Sequence, residues 1–343
     1  MSNTLIHIFY TGGTIGMIRN PEGQLVLDPD FVNKLRNSYL HGVPNLPPWD
    51  ISIRNPTLDS SNMSPQDWLS IATYISVTEA ANPGKYTGYV ILHGTDTMAY
   101  TASALTFMIS GLTKPVIFTG SQIPMSAPRN DAVNNVVNAL NAAAKYPKPE
   151  VCLFFFDKLM LGCRTVKIDS ADWNAFDSPN RAPLGNVVDG ELVFEKGLTG
   201  ELEKVAEANL TIQEFTATEV ALLRLFPGLS PLIAENVLKD PLKGAVLHAY
   251  GAGNGPRNLE DVFTRAAKEE NKILIACTQC LRGSVDIGNY ETGLGKCGVI
   301  SGYDMTVEAA VTKLFWLFSK YPGNIESIKR QMQLPLKGEL TKP

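Results

Sequence analysis

Short apolar, β-rich runs recur along the chain at residues 5–10, 89–92, 116–119, 151–156, 220–225, 245–248 and 273–276, each bounded by glycine, proline or polar turn residues. Runs that are apolar throughout, rather than alternating, suit strands buried on both faces. Helical spacing between them predicts helices over 65–77, 98–110, 132–145, 231–238, 259–270 and 306–320. Ser64 followed by Pro65 is a good helix start, an N-cap side chain before a proline that needs no N–H partner. The alternation of strand and helix predicts an α/β fold with mainly parallel sheets. Periodicity weakens between about 183 and 218, where the chain is polar and broken by glycines. A boundary there divides the chain into a larger α/β domain over 1–195, a linker over 196–215 and a smaller α/β domain over 216–343. No internal repeat or low-complexity tract interrupts this order.

Composition narrows the class. At 343 residues, 44% hydrophobic and 19% charged, the chain has an ordinary soluble composition with enough apolar material for a substantial core. Its formal charge of −4, without a Lys/Arg cluster, argues against nucleic acid or an anionic membrane as partner. No apolar run reaches the length of a membrane span. The start, Met1 to Tyr10, has no basic segment and only a short apolar run, so it reads as a first strand rather than a secretory signal, and a cytoplasmic location is expected. Five cysteines, at 152, 163, 277, 280 and 297, do not suggest a disulfide framework in a chain this long. Cys277-Thr-Gln-Cys280 has the spacing of a zinc or redox pair. No second pair accompanies it, however, and the four histidines at 7, 41, 93 and 248 are scattered, which favours reduced structural thiols.

Chemistry concentrates in loops that follow predicted strands, where open α/β sheets bind ligands. Thr11-Gly-Gly-Thr-Ile-Gly16 places two hydroxyls among glycines that let the backbone approach a ligand. It is neither a dinucleotide fingerprint nor a P-loop, since no lysine follows. His93-Gly-Thr-Asp-Thr-Met98 puts two hydroxyls and a carboxylate at a strand-to-helix corner. Asp96 or Thr97 can simply cap the helix there. Equally, the helix N-terminus can stabilise a carboxylate or a developing oxyanion. Asp59-Ser60-Ser61 is either a turn former or a set of ligands for the ends of an amino acid. Lys167 alone reads as a surface charge. Tyr250-Gly-Ala-Gly-Asn-Gly255 is a turn or another ligand-facing loop.

Taken together in this order, these motifs, with Thr119-Gly-Ser-Gln122, Glu308-Ala-Ala and Gly338-Glu-Leu, resemble the bacterial-type L-asparaginases across nearly the whole chain. Asp59-Ser-Ser-Asn-Met63 and Ser121-Gln-Ile-Pro124 are similar to the cytosolic type I branch. The resemblance implies a flavodoxin-like N-terminal catalytic domain and hydrolysis of L-asparagine to L-aspartate and ammonia. It implies Thr14 as the nucleophile that forms an acyl-enzyme. Lys167 would hold Thr95 and Asp96, with Thr95 positioning the water or relaying a proton. Asp59, Ser60 and Ser61, with Thr95 and Asp96, would bind the substrate. Asn254 would reach the site of a neighbouring subunit in a homotetramer built from two intimate dimers. No metal or organic cofactor is implied.

Elementary chemistry is consistent with that assignment. A threonine hydroxyl attacks poorly until a base takes its proton. No Ser–His–Asp arrangement is legible, whereas a lysine placed beside hydroxyls can serve in place of histidine. Two departures stand out. Relatives often carry a tyrosine in the loop after the first motif, but Pro21-Glu-Gly-Gln24-Leu25 has none, which leaves Glu22 as the loop's only ionisable group. The positions that would form a second, regulatory asparagine site are Val166, His248 and Cys280, a poor set for clamping an amino acid. Weak or absent allosteric activation is therefore expected. Two other functions share these motifs. A mixed glutaminase-asparaginase differs by one substrate methylene. A non-catalytic amino-acid-binding protein would not need Thr14, Thr95, Asp96 and Lys167 together.

Overall fold

The computed structural model describes residues 4–196, 209–288 and 293–342. They form two compact units, one running to Ile212 and one starting at Gln213.

In the first unit, strands β1 (Ile6–Gly12), β2 (Trp49–Leu58), β3 (Gly88–Leu92), β4 (Val116–Thr119), β5 (Val151–Phe155), β6 (Lys158–Leu161), β7 (Gly185–Val188) and β8 (Glu191–Phe194) make one sheet. Its order is β8-β7-β6-β5-β4-β3-β1-β2. β2, β1, β3, β4 and β5 run parallel, and the remaining pairings are antiparallel. β1, β3, β4 and β5 are buried at every position, as their unbroken apolar runs require. The chain leaves β1 for β2 on one side and returns to β3 on the other. Between β1 and β3, therefore, the strand order reverses, and the carboxyl ends open a crevice. Tyr10 pairs with Leu92 and Leu92 with Thr119, so the three following loops start level.

Helices α1 (Pro65–Ala81), α2 (Met98–Met108) and α3 (Ala132–Lys145) also belong to this unit. At the start of α1, the Ser64 N–H and hydroxyl both donate to Asp67 Oδ2, at 3.0 and 2.6 Å. α2 is buried on nearly all sides, consistent with its apolar composition. It stops short of the predicted 110. Ile109 is β-branched and takes extended backbone angles, and Ile109–Ser110 pairs instead with Thr211–Ile212.

The second unit carries a parallel sheet of β9 (Val220–Arg224), β10 (Gly244–Ala249), β11 (Ile273–Thr278) and β12 (Ile300–Ser301), in that order. Helices α4 (Pro231–Val237), α5 (Glu260–Thr264), α6 (Val307–Lys320) and α7 (Ile325–Met332) accompany it. The helix predicted over 259–270 is one irregular run, a 3-10 turn at Arg257–Leu259, then α5, then a π turn at Arg265–Glu269. Leu247, Phe263, Leu274 and Ala276 lie in the core of this unit.

Candidate active site

Three loops meet at the carboxyl end of the first sheet, and the contacts between them begin with glycines. Gly13 has φ 96°, which disfavours a side chain, and a Cβ there would lie 2.6 Å from the Gly94 backbone. A Cβ on Gly94 would in turn lie 2.4 Å from Ser60 Oγ. The first motif therefore packs on the second and the second on the third, with no room for a side chain at either contact.

The hydroxyls of the first motif have separate fates. Thr11 is buried and donates to the Leu92 carbonyl at 2.8 Å, tying β1 to β3. Thr14 opens the short 3-10 turn Thr14–Gly16 and is half-buried. No hydrogen bond ties its hydroxyl to another described residue. Glu22 lies exposed in the turn joining the small antiparallel strands Met17–Arg19 and Leu25–Leu27.

At the β3–α2 corner the capping alternative fails for Thr97. It occupies the N-cap of α2, but its hydroxyl donates to the Ser60 carbonyl at 2.8 Å instead of accepting from its own helix. The first turn of α2 thus lacks a side-chain cap, and the Asp59 loop is held against it. Asp59 is exposed and accepts the Ser61 N–H at 3.0 Å, Ser60 is buried, and Ser61 is exposed. Lys167 is no solvated surface charge. It sits on the strand Val166–Lys167, paired with Phe176–Asp177, and reaches across to the corner. Its Nζ donates to Thr95 Oγ and to Asp96 Oδ1, both at 2.9 Å. Thr95 is buried, whereas Asp96 is more than half exposed. Thr95, Asp96 and Lys167 are therefore one hydrogen-bonded group.

His93, two residues before Thr95, is fully buried against Phe118, and its Nδ1 bonds the Gly94 carbonyl at 2.7 Å. Burial pushes its pKa down to about 4, so the ring is neutral at neutral pH. It braces the corner and does not face a nucleophile.

Gln122 stood in the sequence only inside the motif Thr119-Gly-Ser-Gln122, with no role given to it, and Asp131 was not singled out. Gln122 Oε1 accepts from the Thr95 hydroxyl at 3.2 Å, and its Nε2 donates to the Asp172 carbonyl at 3.2 Å. Buried Asp131 accepts the N–H groups of Gln122 and Ile123 at 2.9 and 3.0 Å. Beyond that motif, the signal for both was position: Gln122 follows β4 at the same sheet end, and Asp131 precedes α3.

Asn254 belongs to the second unit. Its backbone exchanges hydrogen bonds with Tyr250, both at 2.9 Å, and its Oδ1 is buried with no partner among the described residues. In the same unit His248 Nε2 lies 3.0 Å from the Thr278 carbonyl, and burial and Arg224 both lower its pKa. Cys280 is exposed and Cys277 buried, with its thiol pushed up to about 12 by burial. All five cysteines are free.

Comparison with known proteins shows the family. The family model described as Asparaginase, N-terminal, matches residues 5–199, and that of the Glutaminase/Asparaginase C-terminal domain matches residues 219–332. This chain belongs to the asparaginase family. L-asparaginase 1 of Escherichia coli is 40% identical over 346 aligned positions, covering 99% of each chain. Among solved asparaginase structures, L-asparaginase I from Vibrio cholerae superposes with a TM-score of 0.88 at 40% identity, covering 99% of both chains. The probable cytoplasmic L-asparaginase from Campylobacter jejuni gives 0.77 at 26% identity, covering 96% of this chain and 99% of that one. The two-domain α/β architecture with mostly parallel sheets is thus the asparaginase fold.

Proposed function

We propose that this chain hydrolyses the side-chain amide of L-asparagine, giving L-aspartate and ammonia through an ester on Thr14. The observation that carries the reading is the Lys167–Thr95–Asp96 group, joined by the Gly13–Gly94 contact to the turn that presents a free Thr14 hydroxyl. Thr14 Oγ attacks the amide carbonyl carbon and gives up its proton, the C–N bond breaks, and the nitrogen leaves protonated as ammonia. Water then adds to the ester and restores the hydroxyl. Thr95, held by Lys167, orients that water or relays its proton. Backbone N–H groups of the glycine turn stabilise the oxyanion, and loss of one such donor typically costs roughly 3–4 kcal/mol of transition-state stabilisation.

Asp59, Ser60, Ser61 and Asp96 hold the α-amino and α-carboxylate groups of the substrate. The uncapped start of α2 supports that role, because its N–H groups and dipole favour a carboxylate. Asn254 completes the site of a neighbouring subunit in a homotetramer of intimate dimers, and its partnerless Oδ1 supports a contact outside its own unit. A cytoplasmic location is supported by the Campylobacter jejuni relative's designation. Sedimentation at working concentration tests the assembly, and a monomer with full activity would exclude a shared site.

The reaction is tested by ammonia release with L-asparagine and L-glutamine side by side across concentration. Fast release from asparagine with little from glutamine is the expected result. Comparable rates would make the protein a mixed glutaminase-asparaginase. Binding of asparagine without release would make it an amino-acid-binding protein on this scaffold.

A further inference from the structure

The polarity of the hydrogen bonds around Thr95 is set from outside the residues that touch substrate. The Asp172 carbonyl can only accept, so the Gln122 atom 3.2 Å from it is the donor Nε2. The amide oxygen therefore faces Thr95 and can only accept, so at 3.2 Å the Thr95 hydroxyl donates to it. With its proton directed there, Thr95 Oγ offers Lys167 only lone pairs, and Lys167 Nζ donates at 2.9 Å. Donation runs one way, from Lys167 to Thr95 to Gln122 to the Asp172 carbonyl. Asp131 anchors the Gln122 backbone, and Asn135 Nδ2 donates to Asp131 Oδ2 at 3.2 Å and to the Gly120 carbonyl at 3.0 Å.

We infer that Gln122 is a positioning residue that sets the proton direction of the Thr95–Lys167 pair. The inference rests on the proposed role of Thr95, Asp96 and Lys167 in proton handling. At rest the Thr95 proton points away from Lys167. For Lys167 to take a proton from Thr95 the hydroxyl must turn round, and turning leaves the Gln122 oxygen unpaired. Gln122 thus sets the cost of that reversal and, through Asp172, the placement of the hairpin that carries Lys167.

The other charged groups around this line of bonds are accounted for. Asp96 lies on Lys167, and Asp131 faces backbone N–H groups. Asp169 accepts the N–H groups of Ala171 and Asp172, and Asp172 accepts that of Asn174. Asp59 accepts the Ser61 N–H.

Two substitutions test the inference in opposite directions, with kcat, KM and the pH–rate profile measured on asparagine beside the unaltered protein. Gln122→Met removes the acceptor, so Thr95 turns its proton to Lys167 and the neutral lysine is favoured. The acid limb of the profile should move to lower pH, and kcat should fall about tenfold with KM little changed, because methionine also loses the Asp172 bond that places the Lys167 hairpin. Gln122→Glu keeps an acceptor but adds negative charge, which holds the proton on Lys167, and the same limb should move up by about one pH unit. Thermal melting checks that each variant is folded, and if Gln122→Met is not, Gln122→Glu decides alone. An unmoved acid limb in a folded variant, or a loss confined to KM, would overturn the inference while leaving the function standing. An unaltered protein that releases no ammonia would overturn both.

Discussion

At the residue scale, the site's chemistry depends on which side chains find partners. Thr14 and Thr11 are equivalent letters in the sequence, but Thr11 is committed to the Leu92 carbonyl and Thr14 is not. Lys167 was the least informative residue on its own, because a lone lysine carries no pattern. Its meaning comes from a pairing across more than seventy residues of chain, which no local spacing encodes. Lys167→Met should slow turnover by about a hundredfold or more while leaving asparagine binding within a few-fold, as for loss of a group used mainly in the transition state. Isothermal titration beside steady-state kinetics separates the two, and loss of binding alone would remove Lys167 from the chemistry.

His93 gives a pH prediction. Its folded pKa of about 4 lies below the ordinary 6.5, so between these values the unfolded chain binds a proton that the native chain does not. Stability is therefore full above pH 6.5 and is lost as pH falls toward 4, by about 3 kcal/mol from this group. Urea melts across that range should show the loss, and it should shrink in His93→Gln. An unchanged pH dependence in that variant would mean that other groups carry the acid sensitivity.

Elements were legible where burial is two-sided. Runs such as 89–92 and 116–119 needed only their apolar character to be read as strands, and they appear as β3 and β4. β2 escaped because it is the edge of the sheet. One side is partly solvated, its pattern is polar, and Pro56 lies within it, a residue that an edge strand tolerates and a central strand does not. β7 and β8 were hidden for the same reason, being short and largely exposed near the opposite edge. The loops after β1 and β3 were readable as a site because they follow visible strands. How closely they pack was not readable, since it depends on the missing Cβ atoms of Gly13 and Gly94. Gly13→Ala would place a Cβ 2.6 Å from the Gly94 backbone at a φ that alanine avoids. A stability loss of about 2 kcal/mol or more and near-complete loss of turnover are expected. A folded, fully active Gly13→Ala would mean that the two loops need not touch for catalysis.

At the scale of the molecule, family membership, the order of the motifs and the sheet topology agree on one architecture. Regulation is where this chain should differ from relatives with a second asparagine site. Val166 offers no polar side-chain group, and His248, directed at the Thr278 carbonyl and lowered in pKa, is not a cationic clamp at neutral pH. The rate curve on asparagine should therefore be hyperbolic. A sigmoidal curve that Cys280→Ala makes hyperbolic would establish a working regulatory site. The central claim is that this protein hydrolyses asparagine through Thr14. It is tested most directly by following ammonia release from L-asparagine with the unaltered protein and folded Thr14→Ala in parallel. Rapid release by the first and none by the second is the expected result. Near-normal release by Thr14→Ala would contradict the account and pass the nucleophile's role to Thr95, and release by neither would remove the activity itself.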